Sequence, residues 1–417
     1  MKATYRNNRN GRRWVLLAAC LVSAVAAAQG QAPAQGRGAG RGIQPSEHPV
    51  LPIGAPLPEF ALPGVDGKVH KSSEYAKATV LAVLFESVHC PVSINYEARA
   101  EQLYNDYRNK GVALVAINPN NPNAIRLNEL GYTDMTDSLP EMRIRTAFRG
   151  ITWPYLYDGD TQATSMTFGA VATPHIFIFD RERKLRYQGS IDDNQRPSDV
   201  KTHYARDAIE AVLAGREVPI AETRAFGCST KWIAKKTGVE EEMARIKAAP
   251  VKVDLIDADA VKGLRANLGT NKTVLVSFWS TGCALCASQF LDLENTYRMY
   301  RQRPFDFTTV STDPPDKNAD VVAFLRTQYA GGPNKEFASA DTSVLQAAWG
   351  ATWDPAAPFT AVIAPDGKVL YQKEGKIDIL ELRRIILSSI PDNQGYPGNQ
   401  AYFQDAVARM RMMKKKK

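Results

Sequence analysis

The chain is poor in sulfur and imidazole, with five cysteines and five histidines in 417 residues. Five cysteines (Cys20, Cys90, Cys228, Cys283 and Cys286) are too few to build a disulfide scaffold, but they are well placed for redox work. A structural zinc site needs four ligands, and no second cysteine pair or histidine cluster joins Cys283-Ala-Leu-Cys286 to complete one. A c-type haem attachment needs His directly after the second cysteine, and Ala287 stands there. Acidic residues are missing from both ends: residues 1–45 hold seven Lys/Arg and no acid, and residues 409–417 hold six and none. Removing those thirteen charges from the net +8 leaves −5 for the body, so the basic balance implies no nucleic-acid partner. Lys414–Lys417 reads as a solvated tail with at most a weak attraction to anionic lipid headgroups.

Composition is otherwise that of a globular protein, 44% apolar and 23% charged, and the length suits two or three domains. The stretch Thr273-Val-Leu-Val-Ser-Phe-Trp279 is β-branched and apolar, as a buried strand requires. Ser280-Thr-Gly282 makes a short loop, and Cys283 to about Arg301 has a helical apolar pattern. Both cysteines therefore fall at a helix N-terminus, where unpaired N–H groups and the helix dipole favour a thiolate on Cys283. Cys286, one turn on, is within reach for a disulfide that cycles or for a static structural one.

Strand, aromatic pair, Cys-x-x-Cys and helix together resemble the thioredoxin family, most closely its extracytoplasmic thiol-disulfide branch. Ala357-Pro358-Phe359-Thr360 opens an apolar run and a hairpin, as in that family. The resemblance implies an α/β fold with a central mixed sheet flanked by helices, and a cis-proline at Pro358 facing the dithiol and lining the partner groove. Two departures stand out. Ser277 replaces the buried Asp of thioredoxins, and Leu285 replaces the usual Pro before the second cysteine. A neighbouring carboxylate or a water must then take the proton from Cys286.

Residues 1–28 have the layout of an export signal: basic Lys2 to Arg13, an apolar core from Trp14 to about Val25, and small residues Ala26–Ala28 before Gln29. That core is short for a membrane span. An uncleaved anchor, a lipoprotein processed at Cys20, and a twin-arginine signal at Arg12-Arg13 are the competing forms. All of them put the chain in an exported, oxidising compartment such as the periplasm. Residues 29–50 read as a flexible linker.

Residues 51–220 repeat the order of parts. Val80–Phe85 suits a buried strand and Glu86-Ser-Val-His-Cys90-Pro91 a turn into a helix. Val112–Ile117 is the next strand, and an Asn/Pro-rich insertion follows from Asn118 to Gly150, helical around Leu139–Phe148. Thr173-Pro174 leads into His175–Asp180, Lys184–Gln188 is its hairpin partner, and Ser198–Leu213 closes the unit as a helix. The opening Ile53-Gly-Ala-Pro-Leu-Pro and the lone Cys-Pro resemble AhpC/TSA-type, peroxiredoxin-like redoxin domains. The resemblance implies a second thioredoxin-like domain with Cys90 reactive, Ser87 and His89 assisting, and Pro174 as its cis-proline. Pro174 stands where peroxiredoxins carry Arg, and Val83 where they carry Pro, so the peroxidase set is incomplete. By residue type alone Cys90 also suits an inert buried cysteine, and His89 a surface residue.

Residues 221–250 form a connector. Phe226-Gly-Cys228 resembles a motif that follows such redoxin domains, which makes Cys228 a candidate resolving partner of Cys90 or else a free exposed thiol. Residues 251–390 carry the Cys-x-x-Cys domain, and residues 391–417 a tail with a short helix at Gln400–Met412. The expected function is thiol-disulfide exchange with protein thiols and disulfides, without metal or organic cofactor, served by a membrane-bound reductant. Three other readings stand beside it: a thiol peroxidase acting on peroxide through Cys90, a non-catalytic envelope binding module, and copper handling through Cys90 and His89.

Overall fold

The structure, a computed structural model, describes residues 48–391, 396 and 399–415. The expected export segment, its Ala28 cleavage point and Cys20 lie outside the described residues. Two mixed β-sheets form, each covered by helices on both faces.

A small hairpin, β1 (Ala61–Pro63) with β2 (Val69–Lys71), precedes the first sheet. Next come β3 (Val80–Phe85), α1 (Pro91–Tyr107) and β4 (Val112–Asn118), then α2 (Leu139–Arg149), β5 (Tyr155–Tyr157) and α3 (Ala163–Phe168). The two-residue β6 (Ala172–Thr173), β7 (His175–Phe179), β8 (Leu185–Gly189) and α4 (Tyr204–Leu213) complete the unit. The sheet order is β5-β4-β3-β7-β8, with β7 and β8 antiparallel to their neighbours. Every residue of β3 is buried because the sheet is covered on both sides. Leu84 and Ala82 pack with Tyr96, Ala100 and Ile209, while Val83 and Phe85 pack with Phe168 and Phe177.

The connector holds β9 (Cys228–Ser229) and α5 (Lys236–Ala248). The second half runs β10 (Val253–Ile256), α6 (Ala258–Ala266), β11 (Thr273–Trp279), α7 (Ala284–Tyr300), β12 (Phe305–Ser311) and α8 (Asn318–Thr327). It continues through β13 (Asn334–Phe337), α9 (Thr342–Trp349), β14 (Phe359–Ile363), β15 (Val369–Glu374), α10 (Ile379–Ser389) and α11 (Asn399–Lys415). Its sheet order is β10-β13-β12-β11-β14-β15. Trp279, at the end of β11, stacks on Phe324 at 4.5 Å and meets Phe290 edge-on at 5.3 Å.

Three elements differ from the sequence expectation. The polar run Asn334-Lys-Glu-Phe337 is a strand, because β10 and β12 pair on either side of it and the Thr309 hydroxyl donates to Asn334 Oδ1 at 3.0 Å. The closing helix of the first unit starts at Tyr204, not Ser198; Pro197–Asp199 forms a separate 3-10 turn. Connector strand β9 pairs antiparallel with β6, Thr173 opposite Cys228, which residue pattern alone did not suggest.

The insertion after β4 is clasped by the second half. Ile125 and Leu130 enter a core with Leu275, Phe307, Ile386 and Phe403. The Tyr300 hydroxyl donates to Thr133 O at 2.8 Å, Arg303 to Gly131 O at 3.0 Å, and Asn399 to Tyr132 O at 3.1 Å. Buried Asp134 accepts from Arg145 of α2 at 2.8 Å and from Arg384 of α10 at 2.7 Å. Burial alone would raise the Asp134 carboxyl, but the two guanidinium charges outweigh it and hold the group below its ordinary range.

Removing one partner from a buried charge cluster leaves the others uncompensated. Asp134→Ala is therefore expected to cost about 3–5 kcal/mol of unfolding free energy, read by chemical denaturation. Because the folded carboxyl titrates below its unfolded value, this contribution is present above the ordinary aspartate value of 3.8 and is lost as pH falls through the lower folded value. A denaturation midpoint unchanged in Asp134→Ala would mean that the cluster does not join the halves.

Candidate functional site: two thiol centres at helix starts

Each sheet feeds its central strand into a helix, and each helix begins at a cysteine. In the second half, Cys283 is the N-cap of α7 and its sulfur accepts the Cys286 N–H at 3.0 Å. Cys283 and Cys286 form a disulfide with Cα atoms 5.2 Å apart. Only an edge of it reaches solvent, with Cys283 4% and Cys286 2% exposed. Trp279, Phe290, Val321 and Leu325 pack around the pair.

The loop before the cysteines is fastened by Asp313, which sequence reasoning missed. Its carboxylate accepts Thr281 N–H at 2.9 Å, the Thr281 hydroxyl at 2.7 Å and the Ser311 hydroxyl at 2.8 Å. No spacing pattern marks Asp313; it follows the neighbouring strand β12, whose Ser311 lies opposite Trp279. Ser277 is buried on the strand. Besides Asp313, two further carboxyls of this half are buried among the described residues, Glu294, pushed up to about 7 mainly by burial, and Glu336 on β13.

Pro358 needs a correction. The cis peptide bond among the described residues is Thr173–Pro174, and Ala357–Pro358 is trans. The turn closed by Ala357 N–H to Asp354 O at 2.9 Å delivers the chain to β14 in the trans form. Pro358 is buried one residue before Phe359, which pairs with Phe278, and its carbonyl accepts Gly375 N–H at 2.8 Å.

In the first half, Cys90 is the N-cap of α1, with Pro91 at the first helical position, where a missing N–H costs nothing. Cys90 is wholly buried. Ser87 accepts the Cys90 N–H at 3.1 Å, and the Ser93 N–H points at the Cys90 sulfur at 3.5 Å. Thr173 O lies 3.2 Å from the same sulfur and accepts its proton in the thiol form. His89 is buried, contrary to its expected surface position, because Asp137 pairs with its Nδ1. Asp137 comes from the insertion and was not legible from spacing.

Cys228 is brought to Cys90. The short β6–β9 ladder puts it opposite Thr173 and within hydrogen-bonding reach of the Cys90 sulfur. Gly227 permits the approach, since a Cβ there would stand 2.0 Å from Thr173 O. Burial alone would raise the Cys90 thiol. The Cys228 hydrogen bond, the His89 charge and the Ser93 N–H outweigh it and bring Cys90 down to about 6. Cys228 is pushed far up, first by its hydrogen bond to Cys90 and then by burial, so of the pair Cys90 holds the thiolate. Glu86, next to Ser87, is pushed up to about 8 by burial and by the charge of Glu97.

Paired sulfurs at helix starts beside buried strand ends define a thiol redox protein of thioredoxin-like α/β architecture. A redoxin family model matches residues 52–204 and again 258–382, more than half of the chain, and the chain belongs to the redoxin family. It is similar to a hypothetical protein of Sinorhizobium meliloti, 31% identical over 45% of this chain and 98% of that one, with a TM-score of 0.40. An uncharacterized conserved protein of Geobacillus kaustophilus is 36% identical over 43% of this chain and 92% of its own, TM-score 0.39. A thiol-disulfide oxidoreductase of Bacteroides fragilis is 18% identical over 32% of this chain and 89% of its own, TM-score 0.26. No curated protein matches the chain.

Mild oxidation of the reduced chain is expected to link Cys90 to Cys228, seen as one crosslinked peptide pair by mass spectrometry. The thiolate is the nucleophile, so the linking rate should rise with pH through about 6 and then level off. Gly227→Ala should lower the yield severalfold by pushing β9 away. Equal yields in the two proteins would contradict the close approach. Glu86, protonated when folded up to about pH 8, opposes folding increasingly as pH rises from 4.5 to 8. Glu86→Gln should therefore gain stability relative to the parent across that interval, and a pH-independent difference would contradict it.

Proposed function

We propose that the chain is an exported thiol-disulfide oxidoreductase that exchanges with protein partners through Cys283 and Cys286 and carries a second redox centre at Cys90 with Cys228. The observation that carries the first part is the Cys283–Cys286 disulfide at the start of α7, where Cys283 receives the Cys286 N–H. In the reduced chain the Cys283 thiolate attacks one sulfur of a partner disulfide. A mixed disulfide forms and the partner's other sulfur leaves as thiolate. Cys286 gives up its proton and attacks the Cys283 sulfur. The partner departs with both sulfurs reduced, and two electrons have moved to it. A reductant, membrane-bound in this reading, then restores the dithiol. Export rests on the basic, then apolar, then small-residue order of residues 1–28.

A second reading has one observation in its favour: Cys90 is wholly buried, so a small oxidant reaches it more readily than a protein does. A peroxide oxygen would be attacked by the Cys90 thiolate, giving a sulfenic acid and releasing water or alcohol. Cys228 would then condense with it, forming the Cys90–Cys228 disulfide and a second water. The His89 charge beside Cys90 supports this chemistry in a site without the peroxiredoxin arginine.

Cys286→Ala should accumulate mixed disulfides between Cys283 and exported proteins, separable on non-reducing gels and absent from the Cys283→Ala, Cys286→Ala double variant. Absence of such adducts, together with an unreactive dithiol, would overturn the exchange reading. Peroxide consumption abolished by Cys90→Ser but not by Cys286→Ala in a single turnover would favour the second reading for the first domain.

A further inference from the structure

Cys90 thiolate is buried, and a buried anion is costly unless a charge of opposite sign or several donors meet it. The charged and titratable groups facing the centre come from three segments. His89 lies in the turn before α1. Asp137 comes from the insertion. Cys228 and Lys231 come from the connector, and Lys231 is paired at 2.6 Å with Glu129 of the insertion. Among these charges His89 acts most strongly on Cys90.

The loop Gly131–Ser138 delivers Asp137 to that turn. The carboxylate is wholly buried and receives only donors: Val88 N–H at 2.7 Å, His89 N–H at 3.1 Å, Asn120 Nδ2 at 2.7 Å and the His89 Nδ1–H. A carboxylate so surrounded is held ionised, and it fixes the proton on Nδ1 of the ring. Burial alone would lower the His89 value, but the Asp137 charge and hydrogen bond outweigh it and raise it.

The same loop is gripped from its other end. Tyr300, the last residue of α7, donates to Thr133 O, and Arg384 of α10 binds Asp134. Thr133 also donates to Val88 O at 3.3 Å, next to His89. The helix that starts with Cys283 therefore ends on the loop that supplies Asp137.

The geometry points to Asp137 as the positioning residue of the Cys90 centre: it holds the His89 imidazolium beside the sulfur, on a loop that the second domain keeps in place. Asp137 acts through His89 and touches no reacting atom. The inference rests on the reading that Cys90 is a redox thiol, and its test separates the two.

Thiolate ultraviolet absorbance is followed against pH in the reduced full chain carrying Cys283→Ala and Cys286→Ala. The part of the signal that vanishes in Cys90→Ser belongs to Cys90. A parent midpoint near 6 supports a thiolate centre, and a midpoint at the ordinary thiol value overturns the Cys90 reading itself. Given a low parent midpoint, Asp137→Asn should raise it by roughly one to two units, because the ring loses its proton and with it the positive charge beside the sulfur. His89→Gln should raise it similarly, and Asp137→Asn should add little in the His89→Gln background. An unmoved midpoint in Asp137→Asn, or an equal shift with and without His89, overturns the inference. Arg384→Met should produce a smaller rise, and a folded Arg384→Met with the parent midpoint overturns the role of the second domain. Nitrogen-15 NMR of the unsubstituted ring at neutral pH needs no variant: both His89 nitrogens protonated supports the inference, and a neutral ring overturns it.

Discussion

A sulfur set at the first turn of a helix, where backbone N–H groups have no intrahelical acceptor, is the arrangement on which both centres depend. Each is reached by the same route: an apolar strand buried on both faces ends, the chain turns, and a cysteine takes the N-cap. The strand cannot slip by one residue without moving every side chain into the core packed for its neighbour on the opposite face. The position of the sulfur is thus set by the packing of β3 and β11 and not by the loop between. Cys283 receives the N–H of Cys286, and Cys90 that of Ser93. The helix start is common to the two; what surrounds it is not.

The second centre is apolar and self-contained. Its two sulfurs lie three residues apart on one turn, so they can bond without any movement of the chain. Aromatic side chains from β11, α7 and α8 enclose them, and Asp313 pins the loop from the end of the neighbouring strand β12. The first centre is polar and assembled from distant segments. Its partner sulfur arrives on a two-residue strand, admitted by a glycine whose missing Cβ lets the backbones meet. Its charge balance needs an imidazole from the turn and a carboxylate from the insertion. The family membership of the chain describes the fold of both; the chemistry of each comes from these local differences.

The insertion is more than a loop between strands. Its apolar residues complete the core beneath α7, α10 and α11, and its Asp134 bridges guanidiniums from both halves. A buried carboxylate between two arginines is tolerable because each charge answers another. Three residues later the same segment supplies Asp137 to the first centre. Structural support and electrostatic control are therefore carried by one stretch of chain.

Periodicity made the strands and most helices legible in the sequence, because buried β-branched runs and helical apolar spacing follow from burial alone. The Cys-x-x-Cys at a helix start could be read for the same reason: a local pattern has a local consequence. The strand at Asn334–Phe337 could not, since its polar residues are buried by neighbours far along the chain that satisfy them. The prolines divide: Thr173–Pro174 is cis, as the redoxin resemblance implied, whereas Ala357–Pro358, expected to be cis as well, is trans. That Cys228 meets Cys90 was suggested by the Phe226-Gly-Cys228 motif, but only the β6–β9 pairing brings them into reach. Asp137 and Asp313 carry no mark in the sequence at all. The sequence by itself determined which sulfurs begin helices. Tertiary structure alone decided which charges face them, because electrostatic neighbours are chosen by distance in space and not by distance along the chain.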